Sequence, residues 1–135
     1  MQFTSAILAT IMALASSTTA IPTSIPIPTI TLKIYNDMTG ASATASIPAD
    51  GVPHYVSDLF RDSAISSASG DIFGTSAQLT GFQDNTKCQL VNLNIAGLIV
   101  DLDGRAKNFV DLDGDVTKPI PMWLNGFTFH CEKPQ

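Results

Sequence analysis

The chain has little of what most enzymes are built from: two histidines, two cysteines and one tryptophan in 135 residues, with Glu132 the sole glutamate. Nucleophilic hydrolysis needs a Ser or Cys beside a base, and His54 and His130 are the only imidazoles. No Gly-x-Ser-x-Gly elbow occurs; Gly74-Thr-Ser-Ala-Gln78 comes nearest and lacks the second glycine. Cys-x-x-Cys, zinc-ligand spacing, a phosphate-binding loop and a dinucleotide fingerprint are all missing, as is any Asn-x-Ser/Thr glycosylation sequon. These absences point away from an enzyme.

Charge is also scarce at the start, where no charged side chain precedes Lys33. The run Ala6-Ile-Leu-Ala-Thr-Ile-Met-Ala-Leu-Ala15 is about ten residues, short of the ~20 that span a bilayer, and it ends in small residues, Ser16-Ser-Thr-Thr-Ala20. Residues 1–20 are therefore expected to be a removable secretory signal. No second apolar stretch of spanning length follows, and no lipid-anchor tail follows Cys131, so the expected product is secreted, extracellular and clear of the membrane once processed. Seven basic residues against twelve acidic ones give a net charge of −5, with the basic ones scattered from Lys33 to Lys133. Nucleic acid and anionic membranes reward clustered cations, so neither is expected as a partner.

Cys88 and Cys131 form an even pair in a chain expected to cross an oxidising lumen, and a disulfide between them is the predicted use. Closing that loop removes ~4 kcal/mol of unfolded-state entropy in the chain-entropy treatment.

Residues 21–29, with Pro22, Pro26 and Pro28, read as an extended lead-in, and residues 30–135 as a single β-rich domain. Ile30, Leu32 and Ile34 alternate with Thr31, Lys33 and Tyr35, the period of a half-buried strand. Ala43–Ile47 suggests a second strand, and Asp50-Gly51 a turn. Val56, Leu59, Phe60 and Ala64 fall at helical spacing with Ser57 as the expected N-cap. Strands are expected around Gly74 and Gly81, and over Cys88–Ile95, where the apolar face is read as Val91, Leu93 and Ile95 and the strand is either covered on both sides or starts after the cysteine. A last strand, Trp123–Cys131, is interrupted at Asn125-Gly126, with Trp123 assigned to the core. The predicted fold is all-β: an antiparallel β-sandwich or open barrel of six to eight short strands with one short helical turn.

Val100-Asp-Leu-Asp-Gly104 and Val110-Asp-Leu-Asp-Gly114 are identical pentapeptides. One reading makes them a hairpin with a five-residue loop, Asp103 to Lys107, pairing Val100 with Val110 and Leu98 with Leu112. The other sees Asp111, Asp113 and Asp115 as the opening of a Ca²⁺ loop, although Val116 and Met122 stand where such a loop needs Gly and Glu. No other cofactor is expected. Aspartates are numerous enough that an acid pair among Asp101, Asp103, Asp111 and Asp113 could serve a small polysaccharide hydrolase. His130 reads as a strand residue beside the disulfide, His54 as a solvated loop residue, and Tyr35 as an outward side chain available for surface contact.

Tyr35-Asn-Asp-Met-Thr-Gly-Ala41, Ile47-Pro-Ala-Asp-Gly51, Leu59-Phe60, Gly74-Thr-Ser-Ala-Gln-Leu79, Asn85-Thr-Lys-Cys88, Phe109-Val-Asp-Leu-Asp-Gly114 and Phe129-His-Cys131 together resemble small secreted proteins of filamentous fungi. The resemblance implies an extracellular β-rich protein, with an effector acting on a host or on the cell wall as the expectation, and it transfers no catalytic residue. The expected function is contact between the surface of a non-enzymatic domain and an extracellular protein or a cell-wall polysaccharide. The acid-pair hydrolase and the Ca²⁺-binding adhesion module are the alternatives.

Overall fold

The computed structural model describes residues 26–115 and 117–134, so the expected signal and the first five residues of the lead-in lie outside the described residues. Strand β1 (Thr29–Asn36) follows the alternation read from the sequence: Ile30, Leu32 and Ile34 are wholly buried, while Thr31, Lys33 and Tyr35 are half-buried on the opposite face. Asn36 then reverses the chain. Its carbonyl accepts the Gly40 N–H at 2.8 Å, its Oδ1 accepts the Met38 N–H at 3.2 Å, and Gly40 takes a positive φ of 74° that a side chain would resist. Strand β2 (Ala41–Pro48) returns beside β1 in unbroken register from Asn36↔Ala41 to Thr29↔Pro48.

After β3 (His54–Tyr55) comes a single helical turn, α1 (Val56–Leu59), which buries Val56 and delivers Phe60 to the core. The expected Ser57 cap does not form. Tyr55 occupies the N-cap with extended backbone and no side-chain hydrogen bond, so packing of Val56 and Phe60 holds the turn. The remaining strands are β4 (Phe73–Gly74), β5 (Ser76–Gly81), β6 (Lys87–Asn92), β7 (Ile99–Asp103), β8 (Phe109–Asp111), β9 (Met122–Trp123) and β10 (Phe127–Cys131).

Two four-stranded antiparallel sheets, ordered β2-β1-β5-β8 and β3-β10-β6-β7, carry the fold, with β4 and β9 forming a small third sheet. One buried cluster joins them, combining Ile30, Leu32, Ile34, Leu79 and Val110 of the first sheet with Leu90, Leu102, Phe127 and Phe129 of the second. The all-β expectation holds, and the arrangement is consistent with its sandwich form. Apolar packing outweighs ion pairing here: each buried phenylalanine is worth roughly 1.5–3 kcal/mol, whereas exposed pairs such as Arg61–Asp58 are worth about 0–1 kcal/mol. Cys88 and Cys131 are the predicted disulfide, and they are register partners on the adjacent strands β6 and β10.

Three further expectations are overturned. The repeated pentapeptides do not form a hairpin: Asp103 and Lys107 exchange backbone bonds of 2.8 and 2.9 Å, but β7 pairs with β6 in the second sheet and β8 pairs with β5 in the first. The chain crosses between sheets at this turn because Leu102 fits beside Cys88 on one side, and Val110 beside Ala77 on the other. In β6 the core face is Cys88 and Leu90, not Val91, Leu93 and Ile95. The strand stops at Asn92, whose Oδ1 accepts the N–H groups of Asn94 and Ile95, and Leu93 and Ile95 are left exposed in the turn. Trp123 is also outside the core, 47 % exposed, with Nε1 donating to Asp71 at 3.0 Å. The interruption at Asn125-Gly126 is the turn between β9 and β10, and there Asn125 Oδ1 accepts the Ile72 N–H at 2.7 Å.

Candidate functional site

The face of the first sheet that points away from the core is set by the alternation of β1, β2, β5 and β8. Register places Ser42, Tyr35, Ser76 and Asp111 in one cross-strand row, and Thr44, Lys33, Gln78 and Phe109 in the next. The Tyr35 hydroxyl donates to Gln78 Oε1 at 2.8 Å, and Lys33 Nζ sits 4.8 Å from the Tyr35 ring centroid, which fixes both side chains. Phe109, 51 % exposed, has no such cover. Neighbouring strands are about 4.8 Å apart, so Tyr35 and Phe109, two strands and one row apart, are separated by about 12 Å.

Beside Phe109 the sheet ends in a hollow of about 350 Å³, lined by Ser76 on its floor, by Asp111, by Asp37 from the β1–β2 turn, and by Asp113, Asp115 and Pro119 from the loop after β8. Buried Thr75 positions Asp37: its hydroxyl lies 2.8 Å from Asp37 Oδ2 and accepts the Asp37 N–H at 3.1 Å. Asp113 organises the loop, its Oδ1 accepting the Asp115 N–H at 3.1 Å and its Oδ2 the Ile120 N–H at 2.8 Å. Asp115 Oδ1 accepts the Thr117 hydroxyl at 2.7 Å and the Thr117 N–H at 2.9 Å.

These bonds split the acidities. The Ile120 N–H, then the proton held by Asp111, then the Asp115 N–H keep Asp113 below the usual aspartate range. Hydrogen bonds from the Thr117 hydroxyl and N–H lower Asp115 as well. Asp111 is raised, chiefly because its protonated carboxyl hydrogen-bonds the Asp113 carboxylate and secondly because it is desolvated.

The geometry bears on the two chemical alternatives. Of the four aspartates named for an acid pair, Asp111 and Asp113 both line the hollow. Asp101 and Asp103 are on β7 of the second sheet, where Asp101 accepts from Gln89 Nε2 at 2.9 Å, so the four aspartates are not brought together. For Ca²⁺, both oxygens of Asp113 and one of Asp115 already accept hydrogen bonds from the loop. Among the described residues no group of three His, Cys, Asp or Glu side chains has metal-holding geometry. Asp113 and Asp115 organise their own loop through these bonds.

No family model, curated protein or solved structure matches this chain.

His130 is a half-buried strand residue next to the disulfide, as expected. His54 is not a solvated loop residue: it pairs with Phe129 in β3, and its Nε2 is buried with no hydrogen-bond partner among the described residues. Neither histidine lines the hollow. Tyr35 is outward, as its alternation requires. Gln78, Phe109, Ser76 and Asp37 went unnoticed as surface groups; extending the alternation of β5 and β8 would have placed the first three, while Asp37 carries no such signal.

The outer face of the second sheet differs in character. Register lines up Tyr55, Thr128, Val91 and Ile99 across it, and Leu93 and Ile95 project from the β6–β7 turn. Tyr55, Leu93, Ile95 and Ile99 are each about half exposed or more.

Proposed function

We propose that this chain is a secreted, non-enzymatic β-domain that acts by surface contact, and that its ligand is a cell-wall polysaccharide laid across the outer face of the first sheet. The observation that carries the reading is the interlocked cluster of Gln78, Lys33 and Tyr35, drawn from two adjacent rows, beside an uncovered Phe109 at the lip of a carboxylate hollow. An aromatic ring supplies stacking area, the amide, ammonium and carboxylates supply directional partners for hydroxyls, and side chains already held by contacts, such as Tyr35 and Lys33, lose less entropy on binding. The hollow is acidic and the chain is net negative, which suits a neutral or cationic polymer. A disulfide fits an oxidising compartment, and no helix among the described residues is long and apolar enough to cross a membrane. The fungal resemblance agrees with a role at a host surface or the wall.

Co-sedimentation with insoluble neutral and amino-sugar polysaccharides tests the reading. The native protein is expected to pellet with one of them, and Phe109→Ala to weaken retention by about two- to tenfold while leaving the melting temperature unchanged. Absence from every pellet, or retention indifferent to Phe109, would count against it. The exposed Tyr55 and Ile99 of the second sheet, with Leu93 and Ile95 of the adjoining turn, favour a second reading, an extracellular protein partner. For that partner Ile99→Glu, and not Phe109→Ala, would abolish capture.

A further inference from the structure

A sheet edge is a row of unpaired backbone donors and acceptors, and proteins that stay monomeric usually guard it with charge, proline, a bulge or brevity. The sandwich has four edges. Strands β3 and β8 have two and three residues, and β7 carries Asp101 and Asp103. Strand β2 has none of these devices: Ala41-Ser-Ala-Thr-Ala-Ser-Ile-Pro48 is eight residues long and uncharged, its only proline is the last residue, and its register against β1 is unbroken. Among the described residues no backbone group pairs with its outward side.

We infer that β2 is a homodimer edge, pairing antiparallel with β2 of a second copy about a two-fold axis through Thr44. The strand's chemistry fixes the register. Pairing must keep each face in phase, so a residue can meet only one of the same parity, and centring on Thr44 pairs residues 41–47 while leaving Pro48, which has no donor, outside the ladder. Thr44 then faces the partner's Thr44 and Ser42 faces the partner's Ser46, hydroxyl pairs of a kind that stabilise antiparallel sheets. On the inner side Ala43 faces the partner's Ala45, and these are small enough for the two sandwiches to approach. Both polar outer faces end on the same side of an eight-stranded sheet, so one polymer could engage two copies. The dimer does not depend on that ligand.

Sedimentation equilibrium over a dilution series tests the inference, with hydrogen exchange of the β2 amides as an independent readout on the unmodified protein. A reversible dimer is expected, with β2 amide protection rising with concentration. Thr44→Lys and Thr44→Glu should each weaken it by about fivefold, since like charges then stand opposite one another. An equimolar mixture of the two variants should restore it. A monomer at every concentration overturns the inference. So does a dimer that tolerates both variants, as one formed through Tyr55 and Ile99 of the second sheet would, or a mixture that fails to recover.

Discussion

Gly104 and Gly114 close identical pentapeptides and are needed for different reasons. Gly104 N–H bonds the Thr86 carbonyl at 2.8 Å, and a Cβ there would collide with the Gln83 carbonyl oxygen and come within 2.8 Å of the Phe82 ring. Gly114 has open space around it but a φ of 69°. Replacing Gly104 by Ala should therefore cost ~1–3 kcal/mol as overpacking, and Gly114→Ala ~1 kcal/mol as left-handed strain; Gly114→Asn should recover part of the second loss and Gly104→Asn none of the first. Urea unfolding of the four variants checks this. The aspartates of the same loop predict opposite pH responses. Asp113 and Asp115 are lowered, so their contribution to the folded loop is full above about 3.9 and is lost as pH falls through their folded values. Asp111 is raised, so its contribution is full below about 3.9 and is lost as pH rises through its folded value. Carboxyl-detected NMR should show Asp111 titrating above the other two. Asp111→Asn should remove that titration and keep the Ile120 amide protected.

At the scale of elements, the disulfide joins two neighbouring strands in the middle of the second sheet, where Cys88 and Cys131 are both buried. Replacing both by alanine should cost about 2–5 kcal/mol and lower the melting temperature without changing the far-UV spectrum of the folded state. Individual elements also show where local sequence suffices. β1 was legible because only one of its faces is apolar. β6 was not, since apolar residues occur on both faces and the side chain of Asn92, not periodicity, decides where the strand ends. The pentapeptide repeat was illegible in principle: two copies of Val-Asp-Leu-Asp-Gly joined different sheets because their partners, Cys88 and Ala77, are distant in sequence. Trp123 was assigned to the core, yet Asp71 holds its indole at the surface.

For the molecule as a whole, composition and alternation were enough for an all-β domain and for its disulfide, but not for the site. The candidate face collects Tyr35, Gln78 and Phe109 from strands that become neighbours only through the order β1-β5-β8, and the hollow adds Asp37 from a turn. The same non-local order has a temporal consequence. In the second sheet β10 lies between β3 and β6, so the early segment around His54 has no neighbour to lie against until residues 127–131 have been made. During synthesis that half of the sandwich must wait, half-assembled, for its keystone. Closure is a late event over long chain separations, in the slow class of folding reactions, and the unfinished half needs sheltering during that interval.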